Sequence, residues 1–544
     1  MSARSWDAVV VGGGHNGLVS AAYLARAGLR VQVLERRERV GGATVTEEPY
    51  PGFRYSVFSY LVSLLRPEVI HDLDLVRHGL FLVPLESTLN PLPGGDELYR
   101  EADSNRTFAN VARHSRRDAE AYVEYRLRMT QLAQLVHELQ ATAPPDLVDG
   151  AAADEDAAAL AALARRYVQA PRDLIFTFLQ ALTTSAESLL DQWFESAPLK
   201  AALATSSIIG SFVSPRSPGS AYVLLHHYMG EIDGVYRAWG WQKGGTGGLA
   251  EVIARAARSL GADIRLDAQV QRVLVEDGEV CGVVLEDGEE VRARVVLSSL
   301  APQASLGRFL DPGLLPEELL DRAMRWQSFG CSGKVNLALD RVPRFASRPE
   351  PGPHLAGGMS IAPDLDYVER AFEDAKYGGW SRRPFADLVI PSCLDPDMAP
   401  PGKHVMSCFV QYAPYALSGA DWADQREAFG DAVIDVLEEH MPGLRESILH
   451  RQVLVPPDIE RIVGIPGGNI FHGELRMSQL FVNRPGARAA AYRTPVPGYY
   501  LCGSSTHPGG GISGAPGRLA ALRVLRDLDR PAEVSATAAT GSGA

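Results

Sequence analysis

The chain has 544 residues and a formal net charge of −13, with 53 Lys and Arg against 66 Asp and Glu; no dense basic block occurs, which excludes the electrostatic footprint of a nucleic-acid partner. Its five cysteines (Cys281, Cys331, Cys393, Cys408, Cys502) are scattered with no C-x-x-C pair, which excludes a disulfide framework, a zinc site and a redox-active dithiol and suits a reducing cytoplasm. No apolar run is long enough to span a membrane, only Met1–Trp6 precede the first strand, so no secretory leader is expected, and the length calls for two domains rather than one core.

The first predicted element is a short buried strand, Ala8–Val11, running into Gly12-Gly13-Gly14-His15-Asn16-Gly17. Gly12, Gly14 and Gly17 stand in the G-x-G-x-x-G order of a dinucleotide-binding turn. The first permits the tight turn, the second lets a pyrophosphate approach the backbone, and the third lets the helix pack on the strand. Phosphates would then meet the free N–H groups and positive dipole end of the following helix. That helix is expected over Leu18–Ala27, with Leu18, Ala21, Ala22 and Ala25 on one face and Gly28 as its stop. A second strand, Arg30–Leu34, ends in Glu35, 18 residues beyond Gly17, where a carboxylate accepts the ribose hydroxyls of an adenosine.

Next come Arg36 to Thr44, with a second glycine pair, Gly41-Gly42, that implies another close backbone approach to the same cofactor. Val9–Gly17, Glu35 and Arg39–Thr44 together resemble the FAD-binding start of the phytoene desaturase and amine oxidase superfamily.

From Pro67 to about Arg100 the pattern reads as short apolar pieces with turns. Asp118–Gln140 predicts an amphipathic helix with Tyr122, Tyr125, Met129, Leu132, Val136 and Leu139 on one side. Ala141–Ala159, biased to Ala and Asp, reads as a flexible connection. Pro171–Phe194 is the most apolar helical stretch, and a buried core helix is favoured over a tunnel wall or a membrane-surface contact. His226 and His227 are adjacent and do not share a helix face, so they make no metal site by themselves. Trp239–Leu249 contains a glycine turn leading into a helix over Leu249–Leu260. Val270–Glu276, Glu279–Leu285 and Glu290–Ser298 predict a three-stranded meander with turns at Asp277-Gly278 and Asp287-Gly288.

A second β-rich segment is expected from Gln327–Asp340, Phe385–Pro391 and His404–Tyr412. A helix opened by Ser418 or Asp421 and closed by Met441-Pro442-Gly443 follows. Gly464–Gly473 reads as a loop with no assignable role. Gly498–Arg518 predicts a strand, a glycine-rich turn and a helix over Ala515–Leu528. Bare backbone at that helix start is what the pyrimidine end of a reduced flavin needs. Pro531–Ala544 reads as a disordered tail.

The resemblance extends nearly end to end, through Gly41–Thr44, Asn336–Arg341, Pro400–Gly402, Pro466–His472, Tyr500–Ser504 and His507–Gly511. It implies an α/β fold, a Rossmann-type, GR2-like FAD-binding domain (1–66, 239–310 and 480–530) with an inserted α+β substrate domain (67–238 and 311–479). Its FAD-binding set comprises Gly12, Gly14, His15, Asn16 and Gly17, then Glu35 and Arg36, then Gly41, Gly42, Ala43 and Thr44. Val270 would hold the adenine, and Gly503, Ser504, Gly511 and Ile512 would face the flavin. His507 lies in the same turn, with capping or packing as open as proton transfer, so no catalytic residue is assigned. The implied reaction is flavin-dependent desaturation of a hydrophobic polyene, isoprenoid or lipid-like substrate, with oxygen or a quinone as electron acceptor. A redox-neutral isomerase, a saturase, or a non-catalytic lipid-binding protein on the same fold are the alternatives. Amine oxidation is disfavoured because the sequence displays no evident aromatic pair beside the flavin. Peripheral contact with a membrane is compatible with the apolar stretch at 171–194.

Overall fold

The computed structural model describes residues 5–145 and 154–531. Its first sheet grows from the N-terminal pattern. Trp6–Val11 pairs in parallel with Val31–Leu34 on one side and with the end of Glu290–Ser298 on the other. Asp263–Arg265 extends one edge, and Tyr499–Leu501 pairs in parallel with Glu290–Ser298. The meander forms with the predicted bounds, Val270–Glu276, Glu279–Leu285 and Glu290–Ser298. Asp277 and Gly278 both take positive φ, 51° and 83°, as a tight hairpin turn between twisted strands requires. The strand Glu290–Ser298 belongs to both parts: its start pairs with the meander and its end with the parallel strands.

Three helices cover the parallel strands, His15–Arg26, Gly245–Ser259 and Ala515–Asp527. Small residues let the first and last approach closely. Ser20 Oγ donates to the Gly517 carbonyl over 2.9 Å, and a Cβ on Gly517 would overlap the Asn16 backbone. The first helix begins at His15, earlier than the apolar periodicity places it. Its opening turn faces a cavity rather than the core, so that turn carries no apolar signal.

The second sheet has seven strands, in the order Ile448–Leu454, Ser332–Leu339, His404–Gln411, Phe385–Val389, Gly358–Ile361, Ser87–Pro91, Glu97–Glu101. Thus the stretch from Pro67 to Arg100 holds more order than its broken pattern conveys. Pro67–Asp72 is a helix with proline in its first turn, Leu82–Pro84 pairs with Gly240–Gln242, and the last two strands form a hairpin around Pro93-Gly94-Gly95. One face of this sheet packs Val335, Leu337, Met406, Cys408 and Val410 against Phe429, Val433 and Leu437 of the helix Trp422–His440. Asp421, not Ser418, caps that helix, its carboxylate accepting from Ala423 N at 2.7 Å.

A helical layer completes the chain. Arg116–Ala141 buries Tyr122, Tyr125, Met129, Leu132 and Val136, as its periodicity requires. The expected flexible connection over Ala141–Ala159 is corrected in part: a helix, Asp154–Gln169, starts inside it, because alanine is the strongest helix former however simple the composition looks. Residues 146–153 and the tail from 532 lie outside the described residues. The stretch Pro171–Phe194 is two helices, Arg172–Thr183 and Ala186–Leu190, broken at Thr184 where Ser185 caps the second by accepting from Ser188 N. Leu174, Phe178, Leu189, Leu190 and Phe194 are core, and none lines the main cavity, so this stretch is not a tunnel wall.

Candidate active site

A cavity of about 620 Å³ runs between the two sheets and collects residues from distant parts of the chain. At one end the three glycines play separate parts. Gly12 takes φ +96°, a conformation that disfavours any side chain, and its Cβ would press on Ser299. A Cβ on Gly17 would overlap the Gly12 carbonyl oxygen, so this position is fixed by helix–strand packing. A Cβ on Gly14 would meet no atom within 4 Å, and Gly14 lines the cavity. The backbone at Gly14 is therefore open to an approaching ligand. No acid stands in the first turn of His15–Arg26, and no side chain caps it, so its N–H groups are left to an anion.

Glu35 is buried beside this turn. Its Oε2 accepts from Gly13 N at 2.7 Å and its Oε1 from Arg37 N at 3.0 Å. Glu35→Ala is expected to lower the flavin-to-protein ratio of the purified chain while Glu35→Gln, which keeps one acceptor oxygen, lowers it less. Equal ratios in both variants and the wild type would show that this carboxylate does not hold the cofactor.

Of the predicted cofactor residues, Gly12, Gly14, His15, Asn16, Glu35, Arg36, Gly41, Gly42, Ala43, Thr44, Val270, Ser504, Gly511 and Ile512 all line the cavity. Gly17 and Gly503 do not. Both are packing positions, a Cβ at Gly503 overlapping the Ser299 backbone. The two ends of the chain meet directly: Asn16 Nδ2 donates to Ser504 Oγ over 3.0 Å. His507 does not line the cavity. Its ring Nε2 lies 3.3 Å from the Leu139 carbonyl and its own carbonyl accepts from Tyr492 Oη at 2.9 Å, so it serves the turn's structure.

Several site residues are invisible to sequence patterns. Arg484, fully buried, donates to four backbone carbonyls: Ser504, Phe471, Glu474 and Gln479. It thereby ties the C-terminal turn to the loop 464–473, which has no sequence-based role and whose Ile465, Pro466, Ile470, Phe471 and His472 line the cavity. That loop's Pro-Gly-Gly is the available signal, with Gly467 and Gly468 at positive φ against neighbouring backbone. Burial drives His15 and His227 down to about 4 and His472 to about 3, so all three are neutral imidazoles at pH 7. His226, behind Gly511, is likewise held well below the usual imidazole range by burial.

The second wall is formed by Leu61, Leu64, Ile209, Ile470 and Phe471 with two stacked ring pairs, Tyr60–Phe409 at 6.2 Å and His227–Trp239 at 5.9 Å. Tyr60 and Phe409 come from far apart in sequence, and all four rings line the cavity. Lys334 also lines this wall.

The open Gly14, the uncapped helix start, and the buried His15 Nε2 and Asn16 Oδ1 that find no partner among the described residues fit an anionic dinucleotide. With a cavity that runs on beyond the phosphate cradle, the fold and site define a Rossmann-type α/β dinucleotide-binding protein, and the flavin-containing family it matches makes it a flavoprotein that uses FAD. The chain belongs to the flavin containing amine oxidoreductase family, whose model matches residues 111–525, and an NAD(P)-binding Rossmann-like domain model matches residues 10–72. It is 43% identical to pyridine nucleotide-disulfide oxidoreductase domain-containing protein 2 of Rattus norvegicus, over 96% of this chain and 94% of that one. It is 28% identical to a limonene dehydrogenase subunit of Castellaniella defragrans, over 96% and 95% of the two chains. Among solved structures, an oxidoreductase from Methanosarcina mazei shares the fold with a TM-score of 0.59 and 18% identity, covering 95% of this chain and 99% of that one.

Proposed function

We propose that the chain dehydrogenates a hydrophobic, isoprenoid-, polyene- or lipid-like substrate. The observation that carries this reading is the single cavity that joins the dinucleotide cradle to a chamber walled by Leu61, Leu64, Ile209, Phe409, Ile470 and Phe471. FAD, when bound, would supply the two-electron acceptor that such a dehydrogenation requires. The chain's own part is to orient an apolar molecule and keep water from it. Oxygen or a quinone then takes the electrons. The likeness to a limonene dehydrogenase component supports an apolar substrate. The thiol–disulfide activity in the name of the rat relative finds no support here. The five cysteines are unpaired, Cys331, Cys408 and Cys502 are buried, and burial pushes the Cys502 thiol up to about 12.

The test is anaerobic mixing of the yellow, FAD-loaded chain with candidate polyenes and lipids. Loss of the flavin's absorbance near ~450 nm on mixing is the expected result for an oxidised flavin accepting hydride. Bleaching with no candidate, together with turnover only after a reductant is added, would replace this reading by an isomerase or saturase. A chain purified without any flavin would sink all redox readings and leave a lipid-binding protein. Delivery of such a substrate favours work at a membrane surface. Phe176 and Leu179, 62% and 54% exposed on Arg172–Thr183, are the side chains we assign to that contact in the cytoplasm. Among the described residues no helix is long and apolar enough to cross a membrane.

A further inference from the structure

Five residues that line the cavity carry a buried side-chain nitrogen or oxygen with no partner among the described residues. These atoms are His15 Nε2, Asn16 Oδ1, Arg37 Nη1, Gln303 Oε1 and His472 Nδ1. A buried polar atom left unpaired is costly, so several around one cavity mark what that cavity is built to receive. His15, Asn16 and Arg37 stand at the glycine turn and beside Glu35, the end already given to the cofactor's phosphates and ribose. Gln303 and His472 come from elsewhere. The first follows the strand Glu290–Ser298, and the second lies in the loop 464–473.

One residue joins these two. Trp326 Nε1 donates to the His472 carbonyl over 2.9 Å, and the Trp326 carbonyl accepts from Gln303 Nε2 at 3.3 Å. The second bond fixes the orientation of the Gln303 amide and leaves Oε1 as its free end. His472 itself takes φ +56°. Histidine reaches this left-handed region more readily than most residues, yet glycine does so at no steric cost. The same loop already uses glycine at four positive-φ positions, Gly464, Gly467, Gly468 and Gly473. Hydrogen bonds pin the backbone on both sides of the ring. His472 N donates to the Asn469 carbonyl over 2.9 Å, and Asn469 Oδ1 accepts from Phe471 N at 3.0 Å and Gly473 N at 3.2 Å. A side chain retained at an angle that suits glycine better is retained for what it contacts. Burial, with His15 and Arg484 adding to it, lowers His472 to about 3, so the ring offers one N–H donor and one acceptor nitrogen.

We propose that His472 and Gln303 are cofactor-holding residues that grip FAD from outside the glycine turn. His472 donates through Nδ1 to a phosphate or ribityl oxygen, and Gln303 Oε1 accepts from a hydroxyl or N–H of the same molecule. Trp326 positions both by bonding the carbonyl of one and the amide of the other. An apolar substrate offers nothing to either atom, whereas FAD presents two phosphates and a row of hydroxyls. The grip is independent of which substrate the chamber takes.

The test titrates FAD into flavin-free chains and reads affinity from quenching of the flavin fluorescence. Melting temperatures of the same chains are measured with and without FAD. His472→Gly is expected to weaken FAD about tenfold or more, as loss of a hydrogen bond to a charged group does. Its flavin-free form should melt no lower than the wild type, because glycine adopts this φ freely and the Nδ1 it removes bonds no protein atom. His472→Asn keeps a donor and an acceptor and tolerates the same backbone, so it should recover most of the affinity. Gln303→Met, of similar length and apolar, should weaken FAD severalfold. Titration with ADP separates the two acceptors of His472: a parallel loss assigns a phosphate oxygen, a loss confined to FAD a ribityl oxygen, and both uphold the grip. A His472→Gly chain that melts lower without FAD yet binds it like the wild type shows a purely structural histidine and overturns the proposal. Wild-type affinity in both His472→Gly and Gln303→Met overturns it as well. If His472→Gly does not fold, Gln303→Met decides alone, a severalfold loss of FAD affinity upholding the grip and an unchanged affinity overturning it.

Discussion

Gly17→Ala is expected to abolish flavin retention and lower the melting temperature, whereas Gly14→Ala leaves the fold intact and loses cofactor alone. Both residues belong to one glycine motif, yet their surroundings differ. Gly17 lies inside the helix His15–Arg26, where alanine is intrinsically better by about 1 kcal/mol. That gain is outweighed because the added methyl would overlap the Gly12 carbonyl oxygen, a backbone atom in a turn that cannot yield without separating helix from strand. Overpacking of this kind costs typically about 1–3 kcal/mol, and here it displaces the turn that holds the phosphates. Gly14 has φ −69°, a value any residue adopts, and nothing lies within 4 Å of its Cβ position. A methyl there enters only the space of the cofactor. Thermal unfolding of the flavin-free chains separates the two cases, with Gly14→Ala matching the wild type. The flavin-to-protein ratio should fall in both. A wild-type flavin ratio in Gly14→Ala would contradict the close backbone approach assigned to that residue.

The legible parts of this protein are those where local chemistry dictates residue type. A turn that must admit a pyrophosphate needs glycines at fixed spacing, and a meander needs period-two alternation with Asp-Gly turns. Both are readable to within a few residues, the meander with its strand ends correct. The parts that are not readable depend on what distant segments bring together. Ser332-Gly333-Lys334-Val335-Asn336-Leu337-Ala338-Leu339 alternates polar and apolar like a strand with one face in water. Every one of its residues is buried. The alternation records a polar cavity wall, and only the packing of Tyr60 and the neighbouring strands distinguishes that from solvent. Arg484 is hidden for a similar reason. Asn483-Arg484-Pro485 has the composition of a surface loop, and its burial follows from carbonyls on three other segments converging on it. The Ala-rich start of Asp154–Gln169 misleads in the opposite direction, because low complexity reads as lack of order.

Arg484→Ala is expected to destabilise the chain more than any other single substitution in the site, and Arg484→Lys is not expected to rescue it. The guanidinium presents its donors to Ser504 O at 2.8 and 3.2 Å, Phe471 O at 2.6 Å, Glu474 O at 3.3 Å and Gln479 O at 3.2 Å. Truncation leaves these four carbonyls without that donor in a dry interior. Each such loss costs about 1–3 kcal/mol, so even the low end is a large share of a typical stability of about 5–15 kcal/mol. A lysine ammonium is a point charge with three donors and does not reproduce the planar fork that reaches all four. The pH dependence should change as well. Burial raises the Glu474 carboxyl from 4.5 to about 7, and the positive charges of Arg476 and Arg484 hold it from rising further. The folded chain thus keeps a proton that the unfolded chain releases near 4.5. The stability this group contributes is fully present below that value and is lost as pH rises through about 7. Without Arg484 the folded value moves higher, so the loss continues to higher pH. Melting temperatures at pH 6 and pH 8.5 should therefore diverge more in Arg484→Ala than in the wild type, and in Arg484→Lys to the extent that the ammonium sits farther from Glu474. An Arg484→Lys chain that keeps wild-type flavin content, melting temperature and pH slope would show that a single positive charge, and not the four-carbonyl fork, holds the C-terminal turn against the loop.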